Sequence, residues 1–280
     1  MTARTWFITG VNSGFGREMT EQLLRRGDRV AGTVRKLDAV ADLKDTYGDR
    51  FLVAHLDVTD TAEIKTVVDK AFAELGTVDV VVNNAGYGLF GAAEELTDAQ
   101  IDHIIATNLT GSIHVTRAAL PHLRAQQGGR IIQISTFGGQ AAFPGASMYH
   151  ATKWAVEGFT EAVAHEVAGF GIGVTIIEPG GARTQFRYGS AQLGPALDAY
   201  ADTLVAAVRA MLESGTALPP GDPARMASVI IASTDQNPAP LRIALGTDSF
   251  GIIRTSLTDR LAALEAQQDV ATSTDFPAGE

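Results

Sequence analysis

Tyr149 and Lys153 stand four residues apart in the segment SMYHATKWAVEGF (147–159), just ahead of an apolar run. Positions i and i+4 share one helix face, so the pair reads as a phenol stacked over an ammonium. A phenol ordinarily titrates near about 10, and a close cation can lower that value by roughly 1–3. A phenol tuned in this way can give a proton to an oxygen and take it back, which is general acid/base chemistry. Ser135 lies 14 residues earlier, where the apolar run GRIIQIST ends. Its hydroxyl suits orienting a carbonyl and stabilising charge on the carbonyl oxygen. His150 sits inside the motif but about 100° around the helix from Tyr149, and reads as a packing residue. Ser135 has no GxSxG elbow, which argues against a serine hydrolase. The six histidines lack a spacing such as HExxH, so no catalytic metal is expected.

A second group of residues suits a dinucleotide. The run TWFITG leads into TGVNSGFG, which places Gly10, Gly14 and Gly16 around Asn12, Ser13 and Phe15. Glycines after a strand let the chain turn tightly and bring a pyrophosphate against backbone N–H groups at a helix N-terminus. An ordinary strand-to-helix turn is the plainer alternative. LDV ends a later apolar run with Asp57 and Val58, and NNAG ends another with Asn84, Ala85 and Gly86. Asp57 suits an adenine amino group, or more plainly a helix N-cap. The NNAG backbone suits a ribose, or more plainly a turn. GTVRK puts Val34, Arg35 and Lys36 where a dinucleotide without a 2′-phosphate wants an acid. A guanidinium matches a phosphate with two parallel hydrogen bonds. NADP(H) is therefore favoured, with NAD(H) kept open by nearby Asp38. In PGGART (179–184), Pro179 and Gly180 turn the chain, and Thr184 suits the nicotinamide carboxamide or a simple N-cap.

These residues need elements to hold them. Runs at 5–10, 28–34, 51–58, 78–86, 129–136, 173–181 and 241–246 read as strands, and 16–26, 61–75, 98–126, 147–167 and 223–233 as helices. Strands that are apolar without alternating are buried on both faces, as in a parallel sheet covered by helices. Right-handed βα units then give an α/β fold, a doubly wound Rossmann-type parallel sheet of about seven strands. Such sheets bind ligands at the carboxyl ends of their strands, where the candidate motifs fall. Residues 1–270 read as a single domain with neither repeat nor linker. Within it, 185–222 is rich in Gly, Ala and Pro and reads as an irregular substrate loop or lid. An extra C-terminal amphipathic helix is expected over about 248–267, and a flexible tail over 271–280.

In chain order, Thr9 to Gly16, Asn83 to Gly86, Ser135, and Tyr149 with Lys153 resemble the short-chain dehydrogenase/reductase family, in the branch carrying TGxxxGxG, NNAG, a strand-end Ser and YxxxK. The resemblance spans about residues 4–184, and PGGART resembles the family's segment beside the nicotinamide. It implies hydride transfer between a nicotinamide and a carbonyl carbon, with Tyr149 protonating the oxygen. Lys153 would tune Tyr149 and reach the nicotinamide ribose. Asn108, in IATNLTG, would serve a water-mediated proton relay toward the lysine, although a core polar residue that distorts its helix is the plainer reading. The C-terminal part departs from the family's usual ending.

Phe137, Gln140, Phe143, Met148, Phe186 and Tyr188 are the candidate substrate-pocket residues. Most are apolar, which favours an uncharged, fairly hydrophobic ketone or alcohol; Arg183 and Arg187 weigh the other way. The formal net charge of −10 and the lack of a dense Lys/Arg tract argue against nucleic acid. No apolar stretch approaches the roughly 18–20 residues of a membrane span. With no cysteine, disulfides, Fe–S clusters and a cysteine nucleophile are excluded, and a cytoplasmic location is the expectation. A homo-oligomer is expected. A dimer through the helices near 98–126 and 147–167 is favoured over a tetramer, because the extra helix covers the last-strand surface. Competing readings are a non-catalytic dinucleotide-sensing regulator, which would not need the full Asn108, Ser135, Tyr149 and Lys153 set, and an NAD-dependent alcohol dehydrogenase. A sugar-nucleotide epimerase or dehydratase would call for another glycine spacing.

Overall fold

Val80, Val81 and Val82 are buried side by side in one strand, which only a sheet covered on both faces permits. The computed structural model describes residues 3–215 and 218–276, without the side chains of Arg187 and Tyr188. Its strands are β1 (Thr5–Thr9), β2 (Arg29–Val34), β3 (Phe51–His55), β4 (Val80–Asn83), β5 (Leu89–Phe90), β6 (Gly129–Ile134), β7 (Ile172–Pro179), β8 (Gln192–Leu193) and β9 (Arg242–Leu245). Seven of them form one parallel sheet in the order β3-β2-β1-β4-β6-β7-β9, and β5 pairs with β8 in a separate short ribbon. The chain builds outward from β1 to β3, then crosses back to start the other half at β4. That reversal opens a crevice at the carboxyl ends of β1 and β4.

The helices are α1 (Gly14–Arg26), α2 (Ala41–Tyr47), α3 (Thr61–Leu75), α4 (Asp98–Ile105), α5 (Gly111–Ala125), α6 (Ser147–Val167), α7 (Leu204–Ser214), α8 (Pro223–Ser233), α9 (Thr247–Glu265) and the short α10 (Gln268–Thr272). Alternate residues of a strand face opposite ways, and β1 feeds two cores accordingly. Trp6 and Ile8 pack with Met19, Leu23 and Leu24 of α1 and Ile230 and Ile231 of α8. Phe7 packs on the other face with Ile64, Val68 and Phe72 of α3, Val115 and Leu123 of α5, and Val163 of α6. Trp6 Nε1 donates to the buried Asp28 carboxylate at 3.0 Å, which satisfies the indole inside the core. α1 stops at Gly27, whose φ of 99° is the left-handed C-terminal cap.

Two expectations need correction. The helix expected over 98–126 is interrupted by a π-helical turn, Ala106–Thr110, with buried Asn108 inside it. Residues 185–222 are not simply irregular. LVAAVRAMLES forms α7, capped by the Thr203 hydroxyl and burying Val205 and Leu212; residues 216–217 of this segment lie outside the described part. Residues 271–272 complete α10, while 277–280 of the expected tail are also outside it. The extra C-terminal helix is present as α9. None of the described helices is long and apolar enough to cross a membrane.

Candidate active site

The crevice is a cavity of about 570 Å³. Its floor begins at the glycine turn, where Gly10 and Gly14 adopt φ values of 72° and 54° that side chains disfavour. Gly16 is required for a different reason, since a Cβ there would lie 2.2 Å from the Gly10 carbonyl oxygen. Asn84 completes the turn by donating to the carbonyls of Thr9 and Gly10 at 2.8 and 3.0 Å. The Thr9 hydroxyl accepts from the backbone of Asn84 and Ala85 in return. The NNAG segment is therefore part of the turn's scaffold as well as of the cavity wall. Ser13 precedes α1 without a side-chain cap, which leaves that helix start with N–H groups for an anion.

Gly10, Asn12, Ser13, Gly14, Phe15, Arg35, Asp57, Val58, Asn84, Ala85, Gly86, Pro179, Gly180 and Thr184 all line the cavity. Lys36 does not. The chain turns after β2, and exposed Lys36 precedes a short helical turn at Leu37–Val40. Asp57 has one oxygen, Oδ1, occupied by the Thr59 backbone and hydroxyl at 2.9 and 2.7 Å. Burial raises its pKa, but these bonds outweigh burial and hold it below the ordinary value. The N-cap of α3 is Asp60 instead. Thr184 accepts from the Phe186 backbone at 3.3 Å and sits against Gly14. The Pro179–Gly180 turn is anchored by α9, because Asp248 accepts from Gly181 N at 2.8 Å.

Tyr149 and Lys153 project from α6 into the same cavity, both buried. Lys153 Nζ donates to the Ile134 carbonyl at 3.0 Å and lies 5.9 Å from the centre of the Tyr149 ring. Burial pushes the Tyr149 phenol up, opposed in part by the Thr136 hydroxyl. Burial sets the direction, so the phenol is raised rather than lowered. Desolvating a phenolate is costly, and burial also pushes the lysine down to about 8. Asn108 is pinned by the π-helical turn beside Gly86. Its amide donates to the Tyr87 carbonyl at 2.8 Å and accepts from Tyr87 N at 3.0 Å.

Ser135 follows β6 and lines the cavity, but its hydroxyl donates to Glu157 Oε1 at 2.5 Å. Sequence reasoning missed Glu157. The signal was available, since Tyr149, Lys153 and Glu157 repeat at intervals of four along one face of α6.

Phe137, Phe143 and Phe186 form an aromatic end to the cavity, with the Tyr149 and Phe186 ring centres 5.6 Å apart. Gln140 is a correction. It faces away from the cavity, donates to Glu178 at 2.8 Å, and its carbonyl accepts from Ser256. Met148 packs against the cluster around Tyr87 and Leu89 rather than lining the cavity. Arg183 donates to the Pro219 carbonyl at 2.9 Å and is not a wall residue. The Tyr188 and Arg187 side chains lie outside the described residues. His150 both packs and lines the wall, with Nδ1 donating to the Gly138 carbonyl at 3.0 Å. Tyr87, Phe90, Val208 and Met211 complete the apolar wall and were also missed. The last two come from α7, the helix hidden in the segment read as loop.

A doubly wound sheet whose switch-point crevice joins a glycine turn to a Tyr and Lys pair defines a class of dinucleotide-dependent oxidoreductases. The family profile "short chain dehydrogenase" matches residues 4–192, and the chain belongs to that family. Oxidoreductase BOA17 of Botryotinia fuckeliana is 36% identical over 247 residues, 88% of this chain and 90% of that protein. The NADP-dependent 3-hydroxy acid dehydrogenase YdfG of Escherichia coli is 34% identical over 174 residues, 62% of this chain and 70% of that protein. A crystal structure of a short-chain dehydrogenase from Streptomyces avermitilis is 40% identical, with a TM-score of 0.91 over 98% of this chain and 99% of its own.

Proposed function

We propose that the protein is an NADP(H)-dependent oxidoreductase that interconverts an uncharged ketone or aldehyde with the corresponding alcohol. The observation that carries this reading is that one cavity holds the glycine turn and Arg35 at one end, Tyr149, Lys153 and Ser135 along it, and an aromatic wall at the other. The residues fit the cofactor. Gly10, Gly14 and the uncapped start of α1 suit a pyrophosphate, and exposed Arg35 on the cavity wall suits a 2′-phosphate. The name of the Escherichia coli relative supports the same cofactor. Its acid substrate is not carried over, because the apolar end of this cavity has no Arg or Lys in its described wall.

When bound, the nicotinamide supplies or accepts the hydride. Tyr149 gives its proton to the carbonyl oxygen in reduction and takes it from the alcohol in oxidation. Lys153 keeps a positive charge within reach of the phenol, and Asn108 holds the wall behind Gly86. Ser135 orients the oxygen. Val208 and Met211 of the 185–222 lid close the apolar end and exclude water. We further assign the protein to the cytoplasm, as a homodimer through the outer faces of α4 to α6. Light scattering on a sizing column that gave a tetramer would contradict the assembly.

The test follows nicotinamide absorbance with both cofactors against neutral and carboxylated ketones. Neutral apolar ketones with NADPH should be the best substrates, and Arg35→Asp should shift preference toward NADH. A strong preference for carboxylated ketones would overturn the substrate class. Tight NADPH binding without turnover of any carbonyl would favour a dinucleotide-sensing regulator.

A further inference from the structure

Behind Ser135 lies a buried acidic cluster that the proposed reaction does not use. Glu157 of α6 and Glu178 of β7 are each only 3% exposed. The guanidinium facing them is Arg242 of β9, whose Nε lies 3.5 Å from Glu157 Oε2 and 3.3 Å from Glu178 Oε1. That guanidinium is also shared with a third carboxylate, because Arg242 Nη2 donates to Glu161 at 2.8 Å. Lys153, one turn back on α6, is the other cation acting on Glu157. Gln140 fills Glu178 from the segment after β6, with Arg260 of α9 beyond it at 3.5 Å. Glu161 is 43% exposed and draws one end of the guanidinium outward, so the two buried carboxylates share what remains of it and press on each other, a setting in which one carboxyl keeps its proton.

The bond that matters is the 2.5 Å contact between Ser135 Oγ and Glu157 Oε1, a length typical of a charge-assisted hydroxyl–carboxylate bond. A serine hydroxyl has one proton, and while it points at Glu157 it does not point at a substrate. Resting on the function proposed above, we propose that Glu157 is a positioning residue that sets the direction of the Ser135 hydroxyl. As a carboxylate it accepts the Ser135 hydrogen bond and leaves only lone pairs toward the cavity. As a carboxylic acid it donates to Ser135 Oγ and frees the serine proton for the substrate oxygen. Burial, joined by the charge and hydrogen bond of neighbouring Glu178, raises Glu157 to about 7 against the downward pull of the Ser135 bond and Arg242. The switch therefore falls within the working pH range of most enzymes.

The kinetic test measures kcat/KM for reduction of a neutral ketone at saturating NADPH from pH 5.5 to 9. The intact enzyme should lose at least about tenfold as pH rises through 7, toward the roughly 10²–10³-fold cost of removing an oxyanion donor. Glu157→Gln cannot ionise and its amide donates to Ser135, so this step should vanish and the low-pH rate persist. Glu178→Gln removes a neighbouring negative charge and should move the step to lower pH. Ser135→Ala should be slow throughout, without the step. A step unchanged in Glu157→Gln or in Glu178→Gln overturns the proposal, as a merely structural Glu157 would lower the rate equally at every pH. The second readout needs no substrate. Carbon-13 NMR of labelled glutamate carboxyls should show one titration near 7 that moves upward in Ser135→Ala; if it stays put, the coupling does not exist. Should no carbonyl be turned over, the proposed function fails while this titration still decides the Glu157–Ser135 link.

Discussion

Tyr149 and Lys153 meet a cavity that is drier than their spacing alone suggests. The phenol is pushed up and the ammonium pushed down by burial, so neither group carries its charge easily. A neutral phenol is the form that donates, and in the proposed reduction Tyr149 acts as an acid. Tyr149→Phe keeps the ring packed against Phe90 and Phe186 and deletes only that proton. It should lower kcat by about 10²–10⁴-fold, the usual worth of a general acid, while NADPH binding measured by fluorescence is retained. Loss of binding together with turnover would show that Tyr149 holds the cofactor rather than the proton. The Tyr149 and Lys153 pair was legible because its four-residue interval is local. The Ser135 bond to Glu157 was not, because it joins a strand end to a helix 22 residues on.

Among the elements, the glycine turn and α7 are fastened in different ways. Gly16 faces a backbone carbonyl that cannot move aside, whereas a Cβ at Gly14 would meet only Thr184 at 3.6 Å. Gly16→Ala should therefore abolish NADPH binding and destabilise the fold. Gly14→Ala should cost only the strain of its φ, of order 1 kcal/mol; urea titrations of both variants separate the two effects. Beside α7, the Glu95 carboxylate is 2% exposed and accepts from Arg209 of α7 at 3.0 Å and from Leu197 N at 3.0 Å. Arg209 also holds the Gly194 carbonyl. Arg209→Met strands that buried carboxylate, at a cost of about 3–5 kcal/mol. Part of this should appear as detachment of α7, with faster proteolysis within 194–215 and a raised substrate KM, since Val208 and Met211 would leave the wall. An unchanged KM with unchanged cleavage would mean that α7 is held by its apolar contacts alone. The glycine turn was readable because glycine spacing encodes a local backbone path. The latch was not, because its partners are 114 residues apart and each alone is an ordinary surface-type residue.

Across the whole molecule, the two buried groups on α6 give stability a definite pH dependence. Glu157 is raised from 4.5 to about 7, so between those values the folded chain holds a proton that the unfolded chain lacks, and stability from this group falls as pH rises. Lys153 is lowered from 10.5 to about 8, so above about 8 the unfolded chain holds the extra proton, and stability rises with pH. Together they leave their smallest contribution between about pH 7 and 8. Thermal unfolding should show Glu157→Gln gaining on the unsubstituted chain from pH 5 to pH 7.5, and Lys153→Met keeping a steady advantage up to about pH 8 that shrinks toward pH 10. Each kcal/mol should move Tm by roughly 2–4 °C in a chain of this size; equal Tm shifts at all pH values would contradict the burial argument. The sequence by itself determined the parallel sheet, the glycine turn and the Tyr149 and Lys153 pair, because apolar runs, φ-demanding glycines and helical spacing are written in neighbouring residues. Only the tertiary structure decided that Lys36 lies outside the cavity wall, that Gln140 turns to Glu178, that α7 lines the apolar end, and that Ser135 bonds Glu157. Those outcomes depend on which side chains from distant segments reach the same buried space and which of them can keep a charge there.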